Sequence, residues 1–168
     1  MKKILSAVCL ITLSLVFAGI TYASQTTGTL QVSANVVGVC TVTTSPVPFG
    51  NVTGNVYVFA NGDVTVNCPA GTAYHIALDY GLHYSSGERR ISSGTYNAYY
   101  GLFKTVAAPI PWGDNDPGYA NTYPFGSSVA DTGNGSIQAH TVYATLYNFS
   151  GIPVGTTLTD TVTVTVYY

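Results

Sequence analysis

Apolar and polar side chains take turns along most of the chain beyond residue 28. Leu30, Val32, Ala34 and Val36 alternate with Thr29, Gln31, Ser33 and Asn35, and Val64, Val66 and Cys68 with Asp63, Thr65 and Asn67. Tyr74, Ile76 and Leu78 share one side of a short run, while Val142, Ala144 and Leu146 fall within a longer one from Ile137 to Tyr147. The last run sets Val162, Val164, Val166 and Tyr168 between Thr161, Thr163, Thr165 and Tyr167. A period of two is how a strand buries one face. The β-branched and aromatic residues filling these runs suit a pleated, half-buried surface.

Turn signals separate the runs: Pro46 to Gly50, Asn61-Gly62-Asp63, Pro69-Ala70-Gly71, Ser85-Ser86-Gly87 and Gly133-Asn134-Gly135. Seven or so short strands at this spacing predict an all-β, antiparallel sandwich in one domain. Residues 105–136 are less regular, with Pro109, Pro111, Pro117 and Pro124 among Trp112, Tyr119, Tyr123 and Phe125. Aromatic packing over the core is the expected role of such a stretch.

The first residues change the picture. Lys2 and Lys3 precede an apolar stretch from Ile4 to Ile20, and Thr21-Tyr22-Ala23 has the form of a signal-peptidase site. Cleavage is expected after Ala23, with Val16-Phe17-Ala18 the second choice. A membrane anchor would use the same run, but no basic cluster follows it. Cys9 lies too early for a lipid-attachment cysteine. Removing residues 1–23 leaves 145 of the 168 residues, one domain's worth.

Arg89, Arg90 and Lys104 then face Asp63, Asp79, Glu88, Asp114, Asp116, Asp131 and Asp160, a net charge of −4. No basic patch remains to hold nucleic acid or an anionic membrane. Cys40 and Cys68 form an even pair in an exported chain, so a disulfide is expected. A two-cysteine metal site would need a nearby His or a second cysteine pair.

Candidate chemistry is sparse. His75, His83 and His140 are scattered, with no i, i+4 histidine pair and no acid at metal-ligand spacing. There is no Gly-x-Ser-x-Gly elbow and no phosphate loop. Neither an enzyme, a cofactor nor a metal is expected. Asn51-Val52-Thr53, Asn134-Gly135-Ser136 and Asn148-Phe149-Ser150 match the glycosylation tripeptide, which is frequent by chance in a chain this rich in Asn, Ser and Thr.

Several features in order resemble the spore coat protein U domain family, whose members include shaft subunits of archaic chaperone–usher pili. They are the strand running into Cys40-Thr41-Val42, then Val64-Thr65-Val66-Asn67-Cys68, then Tyr74-His75-Ile76-Ala77-Leu78-Asp79. Gly87-Glu88-Arg89-Arg90-Ile91, Trp112-Gly113 and Asp160 to Tyr168 complete the set. The family's approach to the last strand departs here to Pro153-Val154-Gly155-Thr156-Thr157-Leu158, and Pro111 to Phe125 is longer than expected.

The resemblance implies an immunoglobulin-like sandwich lacking its last strand, completed first by a periplasmic chaperone and later by the N-terminal extension of the next subunit. On that reading residues 1–23 are the signal peptide, 24–36 the donor extension and 37–168 the body. Leu30, Val32 and Ala34 would be the donor side chains, with Val36 joining them or the body. Val162, Val164, Val166 and Tyr168 would form the accepting edge, in a chain expected to stop there without a further strand. The partners would be copies of itself or related subunits, a chaperone and an outer-membrane usher. The location would be the cell surface after passage through the periplasm, and the role adhesion and biofilm. Two other readings compete: a self-contained spore or cyst coat protein, and a glycan-binding adhesin using Trp112, Tyr119 and Tyr123 as an aromatic platform.

Overall fold

The computed structural model describes residues 25–34, 38–54, 56–107, 110–114 and 126–168. The signal-peptide region, Val36, Tyr119 and Tyr123 lie outside these. The chain divides into two units, Met1–Asn35 and Val36–Tyr168. In the first, residues 25–34 form neither strand nor helix, and all are exposed.

The described residues of the second unit form eight strands: β1 (Thr41–Thr44), β2 (Val58–Asn67), β3 (Ala73–Leu78), β4 (Arg89–Ser92), β5 (Asn97–Phe103), β6 (Val129–Thr132), β7 (Ile137–Tyr147) and β8 (Val164–Tyr167). They make two antiparallel sheets, in the orders β1-β2-β7-β5-β4 and β6-β3-β8. This is the expected all-β sandwich.

The alternation read from the sequence is what builds the core. Val64 and Val66 of β2, Ile76 and Leu78 of β3, and Val142, Ala144 and Leu146 of β7 are all buried. β5 adds Ala98, Tyr100 and Leu102. Its pattern is masked in the sequence because Tyr99 and Phe103, on the other face, are as apolar as the buried set. The Cys40–Cys68 disulfide joins the residue before β1 to the residue after β2. It ties the short, exposed β1 to the long strand beside it.

Two buried polar side chains lock the sheets together. Trp112 is almost wholly enclosed, and its indole N–H donates to the Ile76 carbonyl at 2.8 Å. Arg89, at the start of β4, points inward and reaches the end of β3 in the other sheet. Its Nη2 donates to the carbonyls of Leu78 (3.1 Å), Asp79 (2.6 Å) and Trp112 (3.1 Å), and its Nε to Asp79 (2.9 Å). The guanidinium also lies over the Tyr80 ring at 5.4 Å. Burial pulls its pKa below the usual arginine value, and carbonyl dipoles supply the solvation that water would have given.

Candidate functional site

β8 is an edge strand, paired with β3 on one side. Beside it the space between the sheets opens as an apolar groove of about 340 Å³. An apolar cavity of about 150 Å³ already admits benzene, so this space is ample for several side chains. Its floor is Val64, Leu78, Ile91, Tyr100, Leu102 and Val142, residues from five strands. One lip is Thr44 to Val47 with Phe49; the other is Asp160 to Val162 with Val164.

Local sequence explains both lips. Pro46 and Pro48 have no N–H to offer a ladder, so the chain leaves β1 and crosses over the edge of β2. Ser45 is clipped there: its N–H donates to the Asp63 carbonyl at 2.8 Å, and its Oγ accepts from the Asp63 N–H at 2.7 Å. The crossing is close enough that a Cβ on Gly62 would sit 2.8 Å from the Pro46 carbonyl oxygen. Only glycine fits at that point.

The opposite lip is held by the carboxylates of Asp160 and Asp79. Asp160 Oδ1 accepts from the Leu82 N–H (2.9 Å) and lies 2.9 Å from His83 Nδ1, while Oδ2 accepts from the Tyr100 hydroxyl. Burial, reinforced by that bond to Asp160, drives the Tyr100 pKa far above the ordinary tyrosine value, so the hydroxyl remains a donor. Asp79 Oδ1 accepts from the N–H of Gly81 and of Thr163, at 2.8 and 2.9 Å. Backbone bonds in both directions between Ser92 and Thr159 complete the clip.

What remains available is an apolar trough beside a strand edge, a surface suited to an added β-strand with alternate side chains pointing into it. Among the described residues no cluster of three or more His, Cys, Asp or Glu could hold a metal ion.

The family model of the Spore Coat Protein U domain matches residues 26–165. The chain belongs to the Spore Coat Protein U domain family. No curated protein matches it. Among solved structures it is similar to a chain of the CsuC–CsuE chaperone–tip adhesion subunit pre-assembly complex, from archaic chaperone–usher Csu pili of Acinetobacter baumannii. The TM-score is 0.55 with 22% identity over 79% of this chain. The chain spans 40% of the length of that one, and the likeness is one of fold.

In this Spore Coat Protein U domain the residues singled out from sequence fall into three groups. Cys40 and Cys68 are bonded. Val162 and Val164 line the groove, Val166 packs on the core beside it, and Tyr168 is exposed just past β8. The regular strand is shorter than the alternation suggests, since it begins at Val164. Leu30 and Val32 are 88% and 87% exposed, and Ala34 is exposed too. Residues 30–34 alternate perfectly but form no strand, because a strand needs a partner for its backbone groups as well as a pattern.

The aromatic platform is corrected. Trp112 is 1% exposed and committed to Ile76, so it belongs to the core and cannot present its ring to a ligand. Leu158, where the family pattern departs, packs against the core. Sequence reasoning missed Arg89, Tyr100 and Asp160. Arg89 shares its parity with Ile91, the one signal that it points inward. The Tyr100–Asp160 contact joins residues 60 apart and left no local signal.

Proposed function

We propose that the mature chain is a structural subunit of a surface fibre assembled by the chaperone–usher route. The groove beside β8 accepts a strand, supplied transiently by a periplasmic chaperone and then by the N-terminal segment of another subunit. The observation that carries this reading is the apolar trough lying open beside the segment that leads into β8, an edge strand. An exposed edge of this kind invites uncontrolled pairing unless another chain covers it. The family assignment and the fold shared with a chain of a chaperone–subunit pre-assembly complex support the same reading. Adhesion and biofilm formation would be properties of the assembled fibre at the cell surface.

The donor in this account is about Gly28 to Ala34 of a second copy or a related subunit. Fully burying Leu30 and Val32 would contribute about 1.5–3 kcal/mol each, before backbone pairing is counted. The test is Leu30→Asp or Val32→Asp, expressed in a bacterial periplasm with the candidate chaperone. Polymer should disappear while the chaperone-bound subunit still accumulates. If the subunit fails to accumulate as well, the segment is ordinary core and the strand-exchange reading falls.

A further inference from the structure

The groove beside β8 is roomy, yet its floor is hidden from water. Val64, Leu78, Tyr100, Leu102 and Val142 are each between 2% and 6% exposed. Part of the cover comes from the chain between β1 and β2. Val47 and Phe49 line the groove from that side. Both are partly buried against the core, as is Val52, while Pro48, Gly50 and Asn51 between them are exposed. The Phe49 ring lies 6.4 Å from that of Tyr100, tilted by 60°. The segment thus turns apolar side chains inward as a strand does, but it is not a strand. Past the Ser45 clip on Asp63, residues 46–54 make no backbone hydrogen bond among the described residues. Pro46 and Pro48 have no N–H to offer. Gly50 and Gly54 take φ of 67° and 76°, and a Cβ on either would meet nothing within 4 Å. Three side chains hold the strap down, and a segment with few buried contacts and no backbone ladder opens locally at low cost.

We propose that residues 46–54 are a lid: Val47 and Phe49 cover the floor of the empty groove and lift before anything settles on it. The proposal concerns the regulation of the groove and rests on its reading as a strand acceptor. A bare apolar trough at a sheet edge invites uncontrolled association, and the lid shields it until a strand arrives. The cover also sets the rate of capture. A strand meets a competent groove only in the fraction of molecules whose lid is up, and its apparent affinity falls by that fraction. The Ser45 clip and the tight crossing of Pro46 over Gly62 stay in place and anchor one end. Gly50 and Gly54, already in the left-handed region, give the other part its freedom to move.

The test compares Phe49→Ala and Phe49→Leu with the parent, each as the monomeric fraction of the mature chain. Two readouts are taken: fluorescence of anilinonaphthalene sulfonate, which reports bare apolar surface, and stopped-flow binding of a peptide of residues 25–34. Phe49→Ala should raise the dye signal severalfold and speed peptide association about tenfold, the worth of one aromatic pair, with dissociation little changed. Phe49→Leu keeps an apolar cover and should stay within about twofold of the parent. If Phe49→Ala loses the parent's near-ultraviolet circular dichroism, Val47→Ala is the milder truncation and should give the same changes in smaller measure. A dye signal that neither truncation raises overturns the lid. So does unchanged association with faster dissociation, which makes Phe49 a fixed wall gripping the strand. A raised dye signal with no peptide binding to any variant keeps the lid and overturns the strand-acceptor reading instead.

Discussion

Replacing Arg89 with Met removes the clamp that joins the sheets and keeps much of the side chain's length. Four hydrogen bonds to three carbonyls disappear, those of Leu78, Asp79 and Trp112. The three carbonyls left without this donor cost about 1–3 kcal/mol each, about 3–9 kcal/mol together. The opposing gain is that a guanidinium no longer has to be desolvated, which recovers several kcal/mol. The balance is a loss of about 2–4 kcal/mol. At a urea slope of about 2 kcal/mol per molar this lowers the midpoint by about 1–2 M. The assay reports from the site itself, because Trp112 is the single tryptophan and one of the carbonyls that Arg89 holds. Its emission should be blue-shifted in the parent and move to the red in Arg89→Met before the main transition. A midpoint shift below about 0.5 M with unchanged native emission would refute the clamp.

Other consequences follow from particular contacts. Cys40→Ala with Cys68→Ala should cost about 3–4 kcal/mol from the released loop in the chain-entropy model, read as a lower urea midpoint that dithiothreitol reproduces in the parent. Burial holds the His140 imidazole below its usual value, with Asp131 partly opposing. The native state therefore binds fewer protons than the unfolded one. Stability should be full above the unfolded value of about 6.5 and fall as pH drops through the window below it; His140→Gln should flatten that dependence. Beside it the Tyr74 hydroxyl is pushed up to about 12, by burial first and then by the charge of Asp131. Its contribution should be intact below about pH 10 and lost as pH rises toward 12, and Tyr74→Phe should remove that alkaline loss in thermal melts.

How much of this was legible in the sequence depended on whether the signal was local. The inward faces of β2, β3 and β7 could be read directly, because each strand has one polar and one apolar side. β5 could not, since Tyr99 and Phe103 put rings on its outer face. Trp112, among prolines and glycines, fitted both a lid over the core and a surface platform in sequence; the carbonyl and indole contacts that decide for the core come from elements ten or more residues away. The groove was invisible for the same reason. Its floor is drawn from five strands, and its lips are held by pairs such as Ser45–Asp63 and Tyr100–Asp160. The partial legibility of β8 came from its threonine–valine alternation, which tells which side is apolar but not which edge lacks a neighbour.

The most direct test of the central claim is amide hydrogen exchange on β8. A peptide of residues 25–34 is titrated into the chaperone-released chain from which residues 24–34 have been removed. The account predicts slowed exchange concentrated at Val164 to Tyr167 and at the opposite lip from Thr44 to Val47, with no comparable change on β6. The same peptide carrying Leu30→Asp and Val32→Asp should give no protection. Protection spread evenly over both sheets, or none on β8 at saturating peptide, would contradict the claim that this edge accepts the N-terminal strand.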